Sequence, residues 1–353
     1  DAAARRVAAR ARREVASWLP EVDVVGFASG NISRGTAFGV AVPEVDVVAC
    51  ASPGALVRML RHRQSSAELD VRQLQKAAVR AFADRLIASG HFKFRRSAFR
   101  SVEPKVILLV PAASGIHKEA IPINFSVNAT TPLYSAALLT ECGRIDARAR
   151  HLILLVKRWA KDRGICHEAK GHLPPYLWTL LVIYFLQVRH EHEGPLLPPL
   201  EGFEASAGLV GGGTFAAKAA VHAQPCGCAD SAKTSVGELF KEFVAFYACR
   251  FDGRFEASKA ISIRLGRRPL HADLPPRAGG ARAGGTSANV APTIEDPFDC
   301  RRNLGDIVTE AGLERTEEEL VRARSLLSAG ATLTELLEPW APKTSDPQAG
   351  DSE

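Results

Sequence analysis

Long apolar runs are missing from this 353-residue chain. The longest, Leu177 to Leu186, is broken by Thr179 and ends at Gln187. That is short of the roughly 18 apolar residues a membrane-spanning helix needs. Cysteine is sparse, and seven scattered residues do not make a disulfide framework. A reducing compartment is expected, cytoplasmic or nuclear, with organelle import left open. Internal repeats are missing as well. The first residue is Asp1 rather than Met, so the sequence is expected to be an excerpt of a longer chain.

What is present describes an ordinary globular protein. Apolar residues make up 46%, charged residues 24% and aromatics 7%, which excludes a disordered, collagenous or coiled-coil chain. The length corresponds to about two domains. The net charge of +6 is unevenly spread: residues 306–353 carry eleven acids and four bases, leaving +13 on residues 1–305. Arg144 to Arg163 alone holds seven bases and two acids. A basic body with an acidic end points to a polyanionic partner, nucleic acid or nucleotide phosphate. For any single cluster, a solvated helix face is the plainer explanation.

Residues 2–18 read as an Ala/Arg helix stopped before Pro20. Its acid-poor start (Arg5, Arg6, Arg10, Arg12, Arg13) has the composition of an organelle presequence, though a helix packed on the helical part of the protein suits its position better. From Val22 the texture becomes β-rich, with segments Val22–Phe27, Phe38–Val42, Val45–Ala49, Val106–Val110 and Ile121–Val127 between turn residues. An amphipathic helix at Leu69–Ala88 interrupts them. A mixed α/β domain over 21–132 is therefore expected, followed by a helical domain over 133–340. The helical segments are Leu133–Cys142, Ala147–Arg163, Pro175–Val188, Val236–Arg250, Glu317–Leu327 and Leu333–Leu337. Gly/Pro/Ala-rich insertions at 194–235 and 274–292 and a disordered tail at 341–353 complete the outline.

Two places carry chemistry. In Pro43-Glu44-Val45-Asp46-Val47-Val48 the two acids lie two apart at the start of a strand, so both carboxylates leave one face. They follow a Gly/Ser turn, Gly26-Phe27-Ala28-Ser29-Gly30. Such acids can hold a divalent metal while the turn's amides hold phosphate, although a solvated strand edge gives the same pattern. On the strand Ile121–Asn128 the central polar residue is Asn124, which can lend a carbonyl oxygen but neither negative charge nor a proton-accepting site. The second place is Arg144 to Gln187. Lys157 and Lys161, four apart on one helix, share a face and can clamp a polyphosphate; an exposed face explains them equally well. Tyr176 opens a very apolar helix and can stack a base, or close a core edge. Arg95, Arg96, Arg100 and Lys105 can line an RNA path or a solvated strand edge. His222, Cys226 and Cys228 offer too few clustered ligands for zinc, and free thiols are expected.

The ordered set Arg144-Ile-Asp-Ala-Arg148, Leu154-Leu-Val-Lys-Arg-Trp-Ala-Lys-Asp-Arg-Gly164, Tyr176 to Gln187, Gly237 to Tyr247 and Ile294 to Gly305 resembles the helical region of terminal uridylyltransferases and related poly(A) polymerases. The resemblance covers most of residues 20–330. It implies an α+β fold: a polymerase-β-like nucleotidyltransferase domain plus an α-helical PAP-associated domain, with the nucleotide in a cleft between them. It also implies an RNA 3′ end and UTP or ATP as partners, with Mg²⁺ or Mn²⁺ as cofactor.

Position by position, the family's phosphate-gripping lysines fall on Lys157 and Lys161 and its stacking tyrosine on Tyr176. The serine before that tyrosine is Pro175 here. The residue reading the sugar edge falls on Ser135. The uracil-favouring histidine falls on Arg302, which leaves the choice between UTP and ATP open. The Gly-Ser turn is represented by Gly26 and Ser29. Of three catalytic acids the first two are Glu44 and Asp46, the metal ligands, and the third position is Asn124. The expected function is template-independent addition of UMP or AMP to RNA 3′ ends with a degenerate triad. The alternative is an inactive relative serving as an RNA- and nucleotide-binding subunit of an RNA-processing complex.

Overall fold

The structure, a computed structural model, describes residues 2–30, 36–37, 40–41, 43–61, 70–99, 101, 103–189, 195–200, 234–248, 260–268, 274 and 292–341. Most of the two insertions, the tail from 342, Arg100, His222, Cys226 and Cys228 lie outside them. The chain divides into two compact units: Asp1–Thr36 with Ala41–Leu138, and Ala37–Val40 with Leu139–Glu353.

The first unit is built on a five-stranded sheet: β1 (Asp23–Ala28), β4 (Val45–Cys50), β7 (Ile121–Val127), β6 (Lys105–Val110) and β5 (Lys93–Ala98), in the order β1-β4-β7-β6-β5. Two short strands, β2 (Thr36–Ala37) and β3 (Val40–Ala41), form a separate pair. Only β4 and β7 run parallel; the other neighbours in the sheet are antiparallel. Alternation along β4 sorts the faces. Val45, Val47 and Ala49 join the main core with α1 (Ala2–Ala16), α2 (Pro53–Arg61) and α3 (Val71–Ala88). Val48 belongs to a small cluster on the other face with Ala129 and Leu133, so Asp46, two residues before it, points the same way.

Helix α1 corrects an expectation. It packs on the sheet of the first unit rather than on the helical region. Ala4, Val7, Ala8, Ala11 and Val15 are buried in the sheet's core, while Arg5, Arg6, Arg12 and Arg13 face outward. That is the three/four spacing of a helix with one apolar stripe. Two elements, α2 and β5, have no clear sequence signal: one is nine residues long, the other a basic edge strand.

The second unit is helical: the end of α4 (Thr131–Ile145), α5 (Ala147–Asp162), α6 (Pro175–Val188), α7 (Val236–Ala248), α8 (Glu310–Ser328) and α9 (Leu333–Leu336), with a hairpin of β8 (Glu295–Asp296) and β9 (Asp299–Asn303). Asp146 caps α5, its carboxylate accepting the Arg148 N–H at 2.8 Å. Helix α6 begins with proline at its first position, where no N–H is required, and is buried from Leu177 to Gln187. Edge-to-face rings tie these helices together: Trp159 to Trp178 at 5.7 Å, Trp159 to Phe240 at 5.8 Å, and Phe185 to Phe243 at 5.8 Å.

Candidate active site

In the first unit the carboxylates sit where two central strands run side by side. Asp46 on β4 is in register with Asn124 on β7 and Phe27 on β1. The Asn124 Nδ2 donates to Asp46 Oδ1 at 2.9 Å, so the neutral third position turns a donor toward the acid. The carboxylate is thereby oriented and its charge partly satisfied.

Glu44 is held by the preceding turn. It is buried at 3% exposure; Ser29 donates from its backbone N–H to the Glu44 carbonyl (2.9 Å) and from its hydroxyl to Glu44 Oε2 (3.1 Å). A Cβ on Gly30 would lie 2.5–2.7 Å from the Glu44 carboxyl atoms, so this glycine makes room for the acid.

Gly26 does something else. A Cβ there would lie 2.5 Å from the Ala4 carbonyl oxygen and 2.9 Å from the Ala8 Cβ. It serves the close approach of α1 on the face away from Asp46. Gly30 was missed because "glycine before the acids" fits both positions. Asn128 was also missed. At φ 49°, the left-handed region that asparagine tolerates, its side chain bonds the Ala51 N–H (2.9 Å) and Ala51 carbonyl (2.8 Å). The ends of β4 and β7 are thereby locked together. Ser135 stands half-buried on α4, two residues beyond Leu133.

In the second unit Lys157 and Lys161 are not on a solvated face. They are 2% and 3% exposed, beside Ile153, Val156 and Ala160 on the buried side of α5. Burial pulls the Lys161 ammonium down to about 8, with Cys166 and Asp162 opposing. The buried Cys166 thiol is pushed up to about 11, against the field of both lysines. The helix ends one residue after Lys161 because Gly164 adopts φ 68° and its N–H bonds the Lys161 carbonyl at 2.9 Å. Two cations in the last turns of a helix complement its dipole. Tyr176, half-buried, opens α6 directly after Pro175, and α6 is fastened to α5 by the Trp159–Trp178 contact.

Arg302 on β9 pairs with Asp296 at 3.4 Å. Burial pushes the Asp296 carboxyl up, while the Phe298 N–H and Arg302 hold it down. Among the described residues the cysteines Cys50, Cys142, Cys166 and Cys300 are free thiols. Among the described residues no group of three or more His, Cys, Asp or Glu could hold a metal ion by itself, and no helix is long and apolar enough to cross a membrane.

No model of a known protein family matches the chain. It is 29% identical over 225 residues to human terminal uridylyltransferase 7, covering 63% of this chain and 14% of that protein. To the terminal uridylyltransferase cid1 of Schizosaccharomyces pombe it is 25% identical over 301 residues, 81% of this chain and 70% of the relative. Mouse poly(A) RNA polymerase GLD2 is 28% identical over 183 residues, 49% of this chain and 35% of the relative. The chain thus spans less than two thirds of the human and mouse relatives. A solved structure of a Cid1 poly(U) polymerase variant bound to MgATP superposes with a TM-score of 0.62 at 21% identity, covering 96% of this chain and 93% of that one. The class is therefore that of the α+β fold seen in the Cid1 poly(U) polymerase structure. Within it, the chain's sequence is similar to terminal uridylyltransferases and GLD2-type poly(A) polymerases.

Proposed function

We propose that this chain is a template-independent RNA 3′-terminal nucleotidyltransferase, transferring UMP or AMP from UTP or ATP. The observation that carries the reading is the Lys157/Lys161 pair. Two ammonium groups one turn apart are kept inside a helical unit, one with its pKa drawn down to about 8, and strongly perturbed groups of this kind concentrate at functional sites. The phosphates of a nucleoside triphosphate suit such a pair, because ammonium groups form charge-assisted bonds to phosphate oxygens. Tyr176 offers its ring to the base, Ser135 is the candidate for the sugar, and Arg302 with Asp296 for the base edge.

The donor set of Glu44, just before β4, and Asp46 on it fits a Mg²⁺ ion, which is commonly held by one or two carboxylates together with substrate phosphates. Glu44 and Asp46 would hold it, with Ser29 and Gly30 fixing Glu44. When bound, the ion would supply positive charge at the triphosphate. The reaction joins the RNA 3′-oxygen to the α-phosphorus and breaks the bond to the β-phosphate, releasing pyrophosphate. Catalysis of this kind is mostly positioning and charge. Asn124 takes no proton, so Glu44 and Asp46 are the carboxylates proposed to receive one from the attacking hydroxyl.

That same Asn124–Asp46 hydrogen bond favours a second reading, an RNA- and nucleotide-binding subunit that turns over poorly. Extension of labelled oligo(A) and oligo(U) by each nucleotide, with the unaltered chain and with Asn124→Asp, separates the two. We expect weak tailing by the chain itself and a gain on the order of 10²–10⁴-fold in the Asp variant, the usual weight of such a group. Tailing seen only in the variant means the subunit reading holds. Absence of both tailing and nucleotide binding in both proteins refutes the assignment.

A further inference from the structure

The last turn of α5 is closed from two sides. A helix leaves its last four carbonyls without partners of its own, and here those of Trp159, Ala160, Lys161 and Asp162 all accept a bond. Three are met locally. The chain turns at Gly164, and the N–H groups of Arg163, Ile165 and Gly164 reach the carbonyls of Trp159, Ala160 and Lys161, each at 2.9 Å. The fourth, that of Asp162, accepts the backbone N–H of Trp340 at 2.7 Å. That donor belongs to the segment following α9.

Residues Thr332–Trp340 lie as a strap against α8 and the end of α5. A capping box between Thr332 and Glu335 starts the strap, Leu336 is buried, and Pro339 favours an extended Glu338 before it. Its fastening runs through one buried acid. Glu319 on α8 accepts bonds from Arg163, Arg315 and Arg322, and each of these arginines has a second hold on the strap. Arg163 donates to the Glu338 carbonyl. Arg322 donates to the Glu335 carbonyl at 2.8 Å. The Arg315 guanidinium lies over the Trp340 ring, 5.0 Å from its centroid, and also donates to the Arg163 carbonyl at 3.2 Å. A buried polar network of this kind rigidifies the elements it joins.

Lys161 is the residue before Asp162, so the Trp340 bond is made one peptide away from it. Lys157 lies a full turn earlier, inside the run of helical bonds. Helix ends are the parts that open first, so loss of the strap would loosen Lys161 and leave Lys157 where it is. We propose that Trp340 is a positioning residue for nucleotide binding: through the strap it holds the last turn of α5, and with it the Lys161 ammonium, in place for the phosphates. The proposal rests on the reading of Lys157 and Lys161 as a phosphate clamp and adds what keeps one of the two in register.

The test is a double-mutant cycle on the full chain, read by titration calorimetry of ATP and UTP. Trp340→Pro removes the N–H that meets Asp162, whereas Trp340→Phe keeps that N–H and a ring beside Arg315. Trp340→Pro should weaken both nucleotides by about fivefold, the usual weight of one hydrogen bond. In a Lys161→Met background it should weaken them no further, and in a Lys157→Met background by about fivefold again, because only residues that act through one another couple. Trp340→Phe should bind as the parent does. Thermal unfolding is followed on every variant. Where Trp340→Pro does not fold, Trp340→Ala, which loses the ring over Arg315, takes its place in the cycle with the same expected pattern. A purely structural role would weaken binding equally in every background. The proposal is overturned by that result, by unchanged affinity in the Trp340 variant, or by Trp340→Phe binding as weakly as Trp340→Pro. Unchanged affinity in Lys161→Met itself would instead remove the clamp reading, and the proposal with it.

Discussion

Replacing Lys161 by methionine should stabilise this protein and weaken its hold on nucleotide. The side chain is 3% exposed, and its pKa falls from 10.5 to about 8 chiefly through desolvation. At about 1.4 kcal/mol per pH unit, keeping the ammonium charged opposes folding by about 3 kcal/mol at neutral pH. Methionine fills similar space without charge, so Lys161→Met should raise the unfolding free energy by up to that amount. The sign follows from linkage. A base whose folded pKa lies below its unfolded value binds more protons when unfolded between the two values. The parent therefore gains stability relative to the variant as pH rises from about 8 to 10.5. The variant's advantage should be full below about pH 8 and gone above the unfolded value. Denaturant unfolding at several pH values measures it.

Titration calorimetry covers the other half. Losing one charge-assisted bond, worth about 1.5–3 kcal/mol, should weaken UTP or ATP roughly ten- to hundredfold. In the parent, affinity should fall up to tenfold per pH unit above about 8, since the phosphate needs the protonated amine. A variant less stable than the parent at neutral pH, an advantage that does not change with pH, or unchanged nucleotide affinity would refute the reasoning.

Two glycines a turn apart should behave differently. Gly26→Ala pushes a methyl group against the Ala4 backbone and should destabilise by about 1–3 kcal/mol through overpacking, leaving the nucleotide affinity of the folded protein intact. Gly30→Ala meets only the Glu44 carboxyl, the end of a flexible side chain, so unfolding should change little while Mg²⁺-dependent binding of ATP or UTP weakens. Melting curves and calorimetry on both variants decide; identical behaviour would contradict the placement of the two residues on opposite faces. Glu319, fully buried, accepts Arg163 Nε at 2.9 Å, Arg315 Nη2 at 3.1 Å and Arg322 Nη1 at 2.8 Å. Glu319→Ala should destabilise the helical unit by about 3–5 kcal/mol, the usual penalty for uncompensated buried charge, and a loss under about 1 kcal/mol in chemical denaturation would count against that network.

Local pattern by itself determined much of this protein. The spacing of apolar residues gave α3 and the run of them gave α6, and with α5 these lie nearly at their expected ends, because the end signals are local: Asp146 at the start of α5, Gly164 after it, Pro175 at the head of α6. Short β-rich runs between turn residues gave β1, β4, β6 and β7, and the two-residue step put Glu44 and Asp46 on one side. Only the tertiary structure decided the rest. That Asn124 donates to Asp46 depends on pairing strands 78 residues apart, which no local spacing encodes. That α1 lies on the sheet, and that Gly26 serves it while Gly30 serves Glu44, depends on which side of β1 the helix covers. Helical spacing put Lys157 and Lys161 on one face. Whether that face met water or the interior depended on the helices packed around α5, and burial is what turns two ordinary lysines into a candidate phosphate clamp.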